Sequence, residues 1–234
     1  MIDIHCHILP GIDDGPSDIE ESIEMATIAS SDGITRIVAT PHIKDTLVPV
    51  ATIKKGIEIL NNRLTEAGIP VKILQGADVN AMLDISLLEG YTINNTNYIL
   101  IEFPHSHLPK NAGEVIFNMV VRGYRPIITH PERNPSVIKD PDLLFELLSA
   151  GALVQITADS LTGVFGVDMR ECAIYLLKRG AVRFIATDAH SSSLRRPVLS
   201  GGLEVAGRVI GKEKAGRLVT SNPEALLTGR SIDD

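Results

Sequence analysis

Residues 1–16 read MIDIHCHILPGIDDGP. A short apolar run, residues 2–4, leads straight into His5 and His7. Asp13 and Asp14 follow in a loop bounded by Gly11, Gly15 and Pro16. Side chains two apart on a strand share a face, so an HxH pair turns both imidazoles to one point, as a shared metal needs. Asp13-Asp14-Gly15 by itself reads as a turn. What decides the fold is that this order of apolar run, ligand-type residue and helix recurs along the chain.

Further runs occupy 35–40 (TRIVAT), 71–75 (VKILQ), 98–103 (YILIEF), 126–129 (PIIT), 152–157 (ALVQIT) and 183–187 (RFIAT). They are short, rich in β-branched residues and not clearly alternating, which is how strands buried on both faces of a parallel sheet read. Helical patterns separate them. Ser17 with Glu20 predicts a capping box, Ile19, Ile23 and Ala26 one apolar face, and Gly33 the stop. Ile53, Ile57, Leu60 and Leu64 recur at helical spacing up to Gly68, and the stretches 112–123, 141–151 and 168–180 also end in glycine. From about residue 201 the chain reads as helix only. Seven strand–helix units without a low-complexity linker predict a single α/β domain over 1–234. Ligand-type residues at successive strand ends point to a barrel, because barrel sites assemble there. No GxGxxG or GxxxxGK[ST] motif is present, so nucleotide binding has no support.

The ligand-type residues are specific. His5 and His7 follow the first strand, His42 the second and Asp78 the third; Glu102 closes the fourth, with His105 and His107 just beyond. His130 and Arg133 follow the fifth, and Asp188 and His190 the last. All seven histidines of the chain lie at or just past a strand end. A lone His42 would read as a strand cap, and a lone Asp78 as a turn or N-cap residue; the joint placement argues for a metal centre. Imidazole and carboxylate donors suit Mn, Fe or Zn, with Mg a further option. The donors exceed the roughly four that one zinc takes, which predicts two to three divalent ions. Three such ions would outweigh the charge of the carboxylates Asp14, Asp78, Glu102 and Asp188. Arg133 and Arg195 would then face a cationic mouth suited to a phosphate group, while Arg196 reads as a solvated loop charge.

The net charge of −7 does not invite nonspecific binding to nucleic acid or to an anionic membrane. No basic-then-apolar leader and no membrane-length apolar run occur, and the two cysteines, Cys6 and Cys172, make no disulfide framework. The expectation is a cytoplasmic protein without membrane insertion.

The stretches HCHILPGIDDG, ATPH, LIEFP, THPERN and TDAHS, with the arginine and proline that follow, resemble the polymerase-and-histidinol-phosphatase (PHP) superfamily. Within it they are most similar to the bacterial capsule-associated tyrosine-protein phosphatases, from His5 to about Pro197. The resemblance implies a distorted seven-stranded (β/α) barrel with C-terminal helices and three metals. His5, His7 and Asp188 would hold one, Glu102 and His130 a second, and Asp14, His42 and His190 the third; whether Asp13 or Asp14 is the ligand is open. A family Gly-x-Glu bridges two metals, and here it reads Gly76-Ala77-Asp78, one methylene shorter. The implied chemistry is hydrolysis of phosphotyrosine by metal-bound hydroxide, with Arg133 and Arg195 on the phosphate oxygens. The implied partner is a bacterial tyrosine autokinase of exopolysaccharide synthesis.

Three rivals stand beside this reading. A small phosphoester such as histidinol phosphate fits the same ligand set. A non-catalytic phosphotyrosine-binding regulator fits the Asp78 departure. An amidohydrolase also opens on HxH, but no lysine occupies a middle strand end. A thiol phosphatase is excluded: its Cys-x5-Arg motif fails because the sixth residue after Cys6 is Ile12 and after Cys172 is Lys178. Cys172 reads as a buried thiol on an apolar helix.

Overall fold

The computed structural model describes residues 1–44 and 47–232; Asp45, Thr46, Asp233 and Asp234, all within the domain expected over 1–234, lie outside the described residues. In chain order the elements are β1 (Ile2–Cys6), α1 (Ile19–Ser31), β2 (Arg36–Ala39), β3 (His42–Ile43), α2 (Val50–Glu66), β4 (Lys72–Gln75) and β5 (Asp78–Asn80). Then come β6 (Tyr98–Glu102), α3 (Ala112–Val121), β7 (Arg125–Thr129), α4 (Pro135–Lys139), α5 (Leu143–Ser149), β8 (Leu153–Thr157), α6 (Ala158–Thr162), α7 (Val167–Lys178) and β9 (Phe184–Ala186). Three helices close the chain: α8 (Ser200–Ile210), α9 (Lys212–Arg217) and α10 (Ser221–Leu227). The fold is α/β with parallel sheets and C-terminal helices. No described helix is long and apolar enough to cross a membrane.

The strands form two sheets, β1-β2-β4 and β3-β5-β6-β7-β8-β9, and every pairing is parallel. Two of the expected strands are interrupted. The 35–40 run yields β2 and then, past Thr40 and Pro41, β3; the 71–75 run yields β4 and then, past Gly76 and Ala77, β5. Pro41 has no amide to donate to a ladder. Gly76 permits the close approach there, since a Cβ would stand 2.5 Å from Val38 Cγ1. His42 and Asp78, expected just past strand ends, therefore open short strands of their own and pair with each other in register. Between the outer strands β1 and β9, a single parallel bridge joins Cys6 to Ala189, and Asp188 N donates to His5 O at 2.8 Å.

Alternation along the strands organises the interior. On one face, Tyr98 and Leu100 of β6 lead to Glu102, Ile127 of β7 to Thr129, and Phe184 and Ala186 of β9 to Asp188. The apolar members of that face form one core cluster with Ile2, Ile4 and Val38, closed by Leu226 and Leu227 of α10. Tyr98 and Phe184 are among the largest fully buried side chains. A second cluster packs the opposite strand faces against the surrounding helices. In β1 the alternation is broken by a register shift between Asp3 and Cys6, where one extra residue faces β2; such a bulge re-aims side chains.

The α1 cap lies one residue later than expected. Asp18, not Ser17, caps the helix, accepting from Glu21 N at 3.0 Å, while Ser17 N donates to the Glu21 carboxylate. The buried face is accordingly Ser22, Met25, Ala26 and Ala29, with Ile19 and Ile23 only half-buried. In α2, Ile53, Leu60 and Leu64 are buried as expected and Ile57 is partly exposed. The closing helices seat tightly on the domain: a Cβ at Gly202 of α8 would stand 2.6 Å from Ala158 Cα of α6, whereas one at Gly216 would meet nothing within 4 Å. Gly202→Ala should therefore lower unfolding free energy by about 1–3 kcal/mol through overpacking. Gly216→Ala should leave it equal or raised, by up to about 1 kcal/mol. Urea unfolding of the two variants checks both signs.

Candidate metal centre

The bulge in β1 brings His5 and His7 to one point, with their Nε2 atoms 3.2 Å apart. Each ring is held by its other nitrogen. His5 Nδ1 lies 2.9 Å from Gln155 Oε1, and His7 Nδ1 lies 2.7 Å from Asp13 Oδ2. A ring that donates Nδ1–H to an oxygen keeps its Nε2 lone pair for a cation. Asp13 also accepts from the amides of His42 and Gly15, both at 3.0 Å. The loop closes this tightly because residue 15 is glycine: a Cβ there would stand 2.3 Å from His7 O. The neighbouring Asp14 turns the other way, its Oδ1 3.4 Å from His190 Nε2 and 3.6 Å from His42 Nε2. Of the two aspartates, Asp13 orients a histidine and Asp14 offers an oxygen to the cluster.

Among the described residues, four overlapping groups bring donor atoms within 4.8 Å of one another: His7, Asp14, His42 and His190; His5, His130 and Asp188; His5, His7 and Asp78; and His42, Asp78 and Glu102. His5, His7, Asp14, His42, Asp78, Glu102, His130, Asp188 and His190 all fall in these groups, whereas Asp13, His105 and His107 do not. Asp188 Oδ1 lies 3.4 Å from both His5 Nε2 and His7 Nε2, and His130 Nε2 lies 3.5 Å from Glu102 Oε1. His105 stands apart, largely exposed, with Nε2 3.2 Å from Glu102, and His107 pairs with Ser106 Oγ.

Burial sets the electrostatics. It pushes the His5 and His130 rings below their usual range, and with the neighbouring His7 charge takes His190 down to about 3. Burial and the Asp78 charge raise Glu102 to about 7. At Asp188 burial pulls upward, but His5, His7 and His130 outweigh it and the carboxyl stays well below its ordinary range. Asp78 is held at about 2, burial being outweighed by His42 and His5. His7 rises to about 10, since its contacts with Asp13 and Asp188 outweigh its burial. His42 Nδ1 and Asp78 Oδ2 face each other at 3.2 Å, yet both, like His190 Nε2, are buried without a hydrogen-bond partner. Orphaned buried polar atoms of this kind are costly. Three of them aimed into a cluster of imidazoles and carboxylates fit a site for divalent transition ions.

Arg133 and Arg195 both reach Asp188 Oδ2 at the mouth, and Arg195 Nε is a further buried donor without a partner. The Arg133 guanidinium lies over the Phe165 ring, 5.0 Å from its centroid. Arg196 is exposed. Sequence reasoning missed three buried supports: Gln155 behind His5, Asp3 behind Thr187, and Glu132, whose Oε1 accepts from Thr157 N, Thr157 Oγ1 and Ser160 Oγ. A polar residue inside an otherwise apolar strand was the available signal for Gln155 and Asp3. Both thiols are buried and pushed above their usual range, Cys172 to about 12.

Comparison with known proteins places this geometry in a family. The model for capsular polysaccharide synthesis proteins, CpsB/CapC, matches residues 1–228. The tyrosine-protein phosphatase YwqE of Bacillus subtilis is 37% identical over 238 residues, covering 99% of this chain and 93% of that protein. The tyrosine-protein phosphatase CpsB of Streptococcus agalactiae serotype III is 29% identical over 243 residues, covering 99% of this chain and all of its own. A crystal structure from the study of YwqE from Bacillus subtilis and CpsB from Streptococcus pneumoniae, metal-dependent tyrosine phosphatases, superposes with a TM-score of 0.94 at 37% identity, over 100% of this chain and 96% of the other.

The charge state of His7 has a measurable consequence. With its pKa near 10, the metal-free ring is protonated at neutral pH, and Nε2 must lose that proton to bind a cation. Loading the stripped protein with Mn2+ at pH 7.5 should release about one proton more from the wild type than from His7→Gln. Titration in weakly buffered solution with a pH indicator checks it; equal release from both proteins would refute a protonated His7 that gives up its proton to a cation.

Proposed function

The chain belongs to the CpsB/CapC family of capsular polysaccharide synthesis proteins, and from that premise we propose that it is a metal-dependent phosphatase that removes phosphate from phosphotyrosine on a protein. The observation that carries the reading is the convergence of imidazole and carboxylate donors, three with orphaned buried atoms, beneath two guanidinium groups. The proposal assigns His5, His7, Asp14, His42, Asp78, Glu102, His130, Asp188 and His190 as ligands of two to three divalent ions, Mn, Fe or Zn. It also treats β2–β3 and β4–β5 as two interrupted strands of one distorted seven-stranded barrel, closed where Cys6 meets Ala189. A single domain over 1–234, acting in the cytoplasm on a tyrosine kinase of exopolysaccharide synthesis, completes it.

When bound, the ions supply Lewis acidity toward the phosphoryl group and activate the attacking water. The chain supplies the rest. Arg133 and Arg195 present planar donor forks to the phosphoryl oxygens, and such forks strengthen as charge moves onto those oxygens in the transition state. Phe165 backs the Arg133 guanidinium and limits its swing. Asp13 and Gln155 keep the Nε2 atoms of His7 and His5 facing inward. A phenolate leaves with little protonation, so a tyrosine ester asks less of a general acid than an alkyl ester does.

The test is p-nitrophenyl phosphate and phosphotyrosine-peptide hydrolysis by chelator-stripped protein, titrated with Mn, Fe, Zn and Mg. Restored turnover at two to three ions per chain is expected; bound metal without phosphate release would refute the phosphatase reading. His5→Ala and Asp188→Ala should lose metal and turnover together. Arg133→Ala should keep its metal and lose roughly 10²–10³-fold in kcat/KM, so equal activity in all three variants would refute the site assignment.

A further inference from the structure

Asp3 sits in the middle of β1, fully buried, yet its carboxylate contacts none of the ligand side chains. A buried carboxylate is tolerated only when its lone pairs are filled. Here three donors fill them. Oδ1 accepts from Thr187 N at 3.0 Å and His5 N at 3.3 Å, and Oδ2 accepts from Thr187 Oγ1 at 2.5 Å. Thr187 Oγ1 in turn accepts from Ala189 N at 3.1 Å. These bonds lie across the junction of β1 and β9, which is otherwise joined by one bridge and a few backbone contacts.

Between Thr187 and Ala189 lies Asp188, with φ +52°, in the left-handed region that few residues with a side chain adopt, aspartate being among the more tolerant. In that conformation the Asp188 carboxylate lies 3.4 Å from both His5 Nε2 and His7 Nε2. The carboxylate that grips Thr187 directly, and Ala189 only through the Thr187 hydroxyl, also holds the backbone of His5.

We propose that Asp3 is a positioning residue: through Thr187 it holds Asp188 in the left-handed conformation and His5 in its bulge, and so sets the metal affinity of the centre. The proposal rests on the metal-centre reading above. Aspartate suits the role because its ionised carboxylate accepts all three converging donors; an asparagine would turn an N–H toward Thr187 Oγ1 and leave that hydroxyl only the longer contact to His5 O, 3.4 Å.

The experiment uses Co2+ as the probe on the purified full chain, reading its visible d–d spectrum and its affinity by chelator competition. Asp3→Asn and Thr187→Val should bind Co2+ about tenfold or more weakly, with an altered spectrum. Thr187→Ser, which keeps the hydroxyl, should match the wild type. Leu147→Ala, which opens the helical layer around α5 rather than this junction, should lower the thermal midpoint and leave Co2+ binding unchanged. Wild-type affinity and spectrum in Asp3→Asn and Thr187→Val would overturn the proposal, as would equal weakening by Leu147→Ala. If Asp3→Asn does not fold, the contrast between valine and serine at 187 decides. Absence of Co2+ binding by the wild type would overturn this proposal together with the metal centre. Co2+ binding without phosphate release would refute the phosphatase reading alone.

Discussion

Burying several carboxylates together with several imidazoles is the constraint on which the structure turns. Asp78, Glu102 and Asp188 are all shielded from water and lie within reach of His5, His7, His42, His130 and His190. In a medium of low dielectric, like charges repel strongly and unpaired polar atoms are costly. Cationic charge must divide the carboxylates. In the chain alone that charge comes from Arg133, Arg195 and the protonated His7, which converge on Asp188. Glu102, with less cationic help and Asp78 beside it, is pushed up to about 7 instead. The cluster is thus a place that favours divalent cations over the empty chain, and the same guanidinium groups that steady Asp188 are the ones a phosphate would meet.

The fold bears that cost by layering each strand. Along one face of β6 and β9, apolar residues fill the half covered by α10 and an ionisable residue comes last: Tyr98 and Leu100 before Glu102, Phe184 and Ala186 before Asp188. Apolar burial at one end therefore anchors the strands that hold the polar cluster at the other. Where plain alternation would send a donor the wrong way, the backbone departs from it. The bulge in β1 turns His5 inward and His130 takes a left-handed conformation, φ +35°, while Asp188, on the inner face by alternation, is also left-handed at φ +52°. Each departure is braced by buried polar groups: Gln155 and Asp3 around His5, Asp3 and Thr187 around Asp188, and Glu132 locking the turn after His130 to Thr157 and Ser160.

This division explains what could be read from the residues alone. Strand runs and their ligand endings were legible because each is a local pattern of apolar residues followed by histidine or aspartate, and the donors so found do meet. The shift of the α1 cap from Ser17 to Asp18 was not, because both residues can cap and only packing chooses between them. The interruptions at Pro41 and Gly76 depend on how closely two strands approach, which no single run records. Asp13 and Asp14 are alike in sequence, and their separation into a brace and a donor follows from Gly15 pressing the loop onto His7.

Asp78 shows how backbone geometry can change what a side chain must do. The resemblance of Gly76-Ala77-Asp78 to a Gly-x-Glu motif implies a residue longer by a methylene here, and on side-chain length alone aspartate would fall short of a bridging place. Yet Asp78 shares one group with His5 and His7 and another with His42 and Glu102. Its Oδ2 lies 3.2 Å from His42 Nδ1 and 3.8 Å from His5 Nε2. It reaches both because β5 begins at Asp78 itself, in register with His42, immediately after a Gly76 that lets this strand press against Val38. Thr129 Oγ1, 3.4 Å from Oδ1, is placed to steady the other oxygen. Side-chain reach and strand position are interchangeable in this way, so the shorter residue is compatible with a shared ligand, and the glycine two residues earlier belongs to the site as much as the aspartate does.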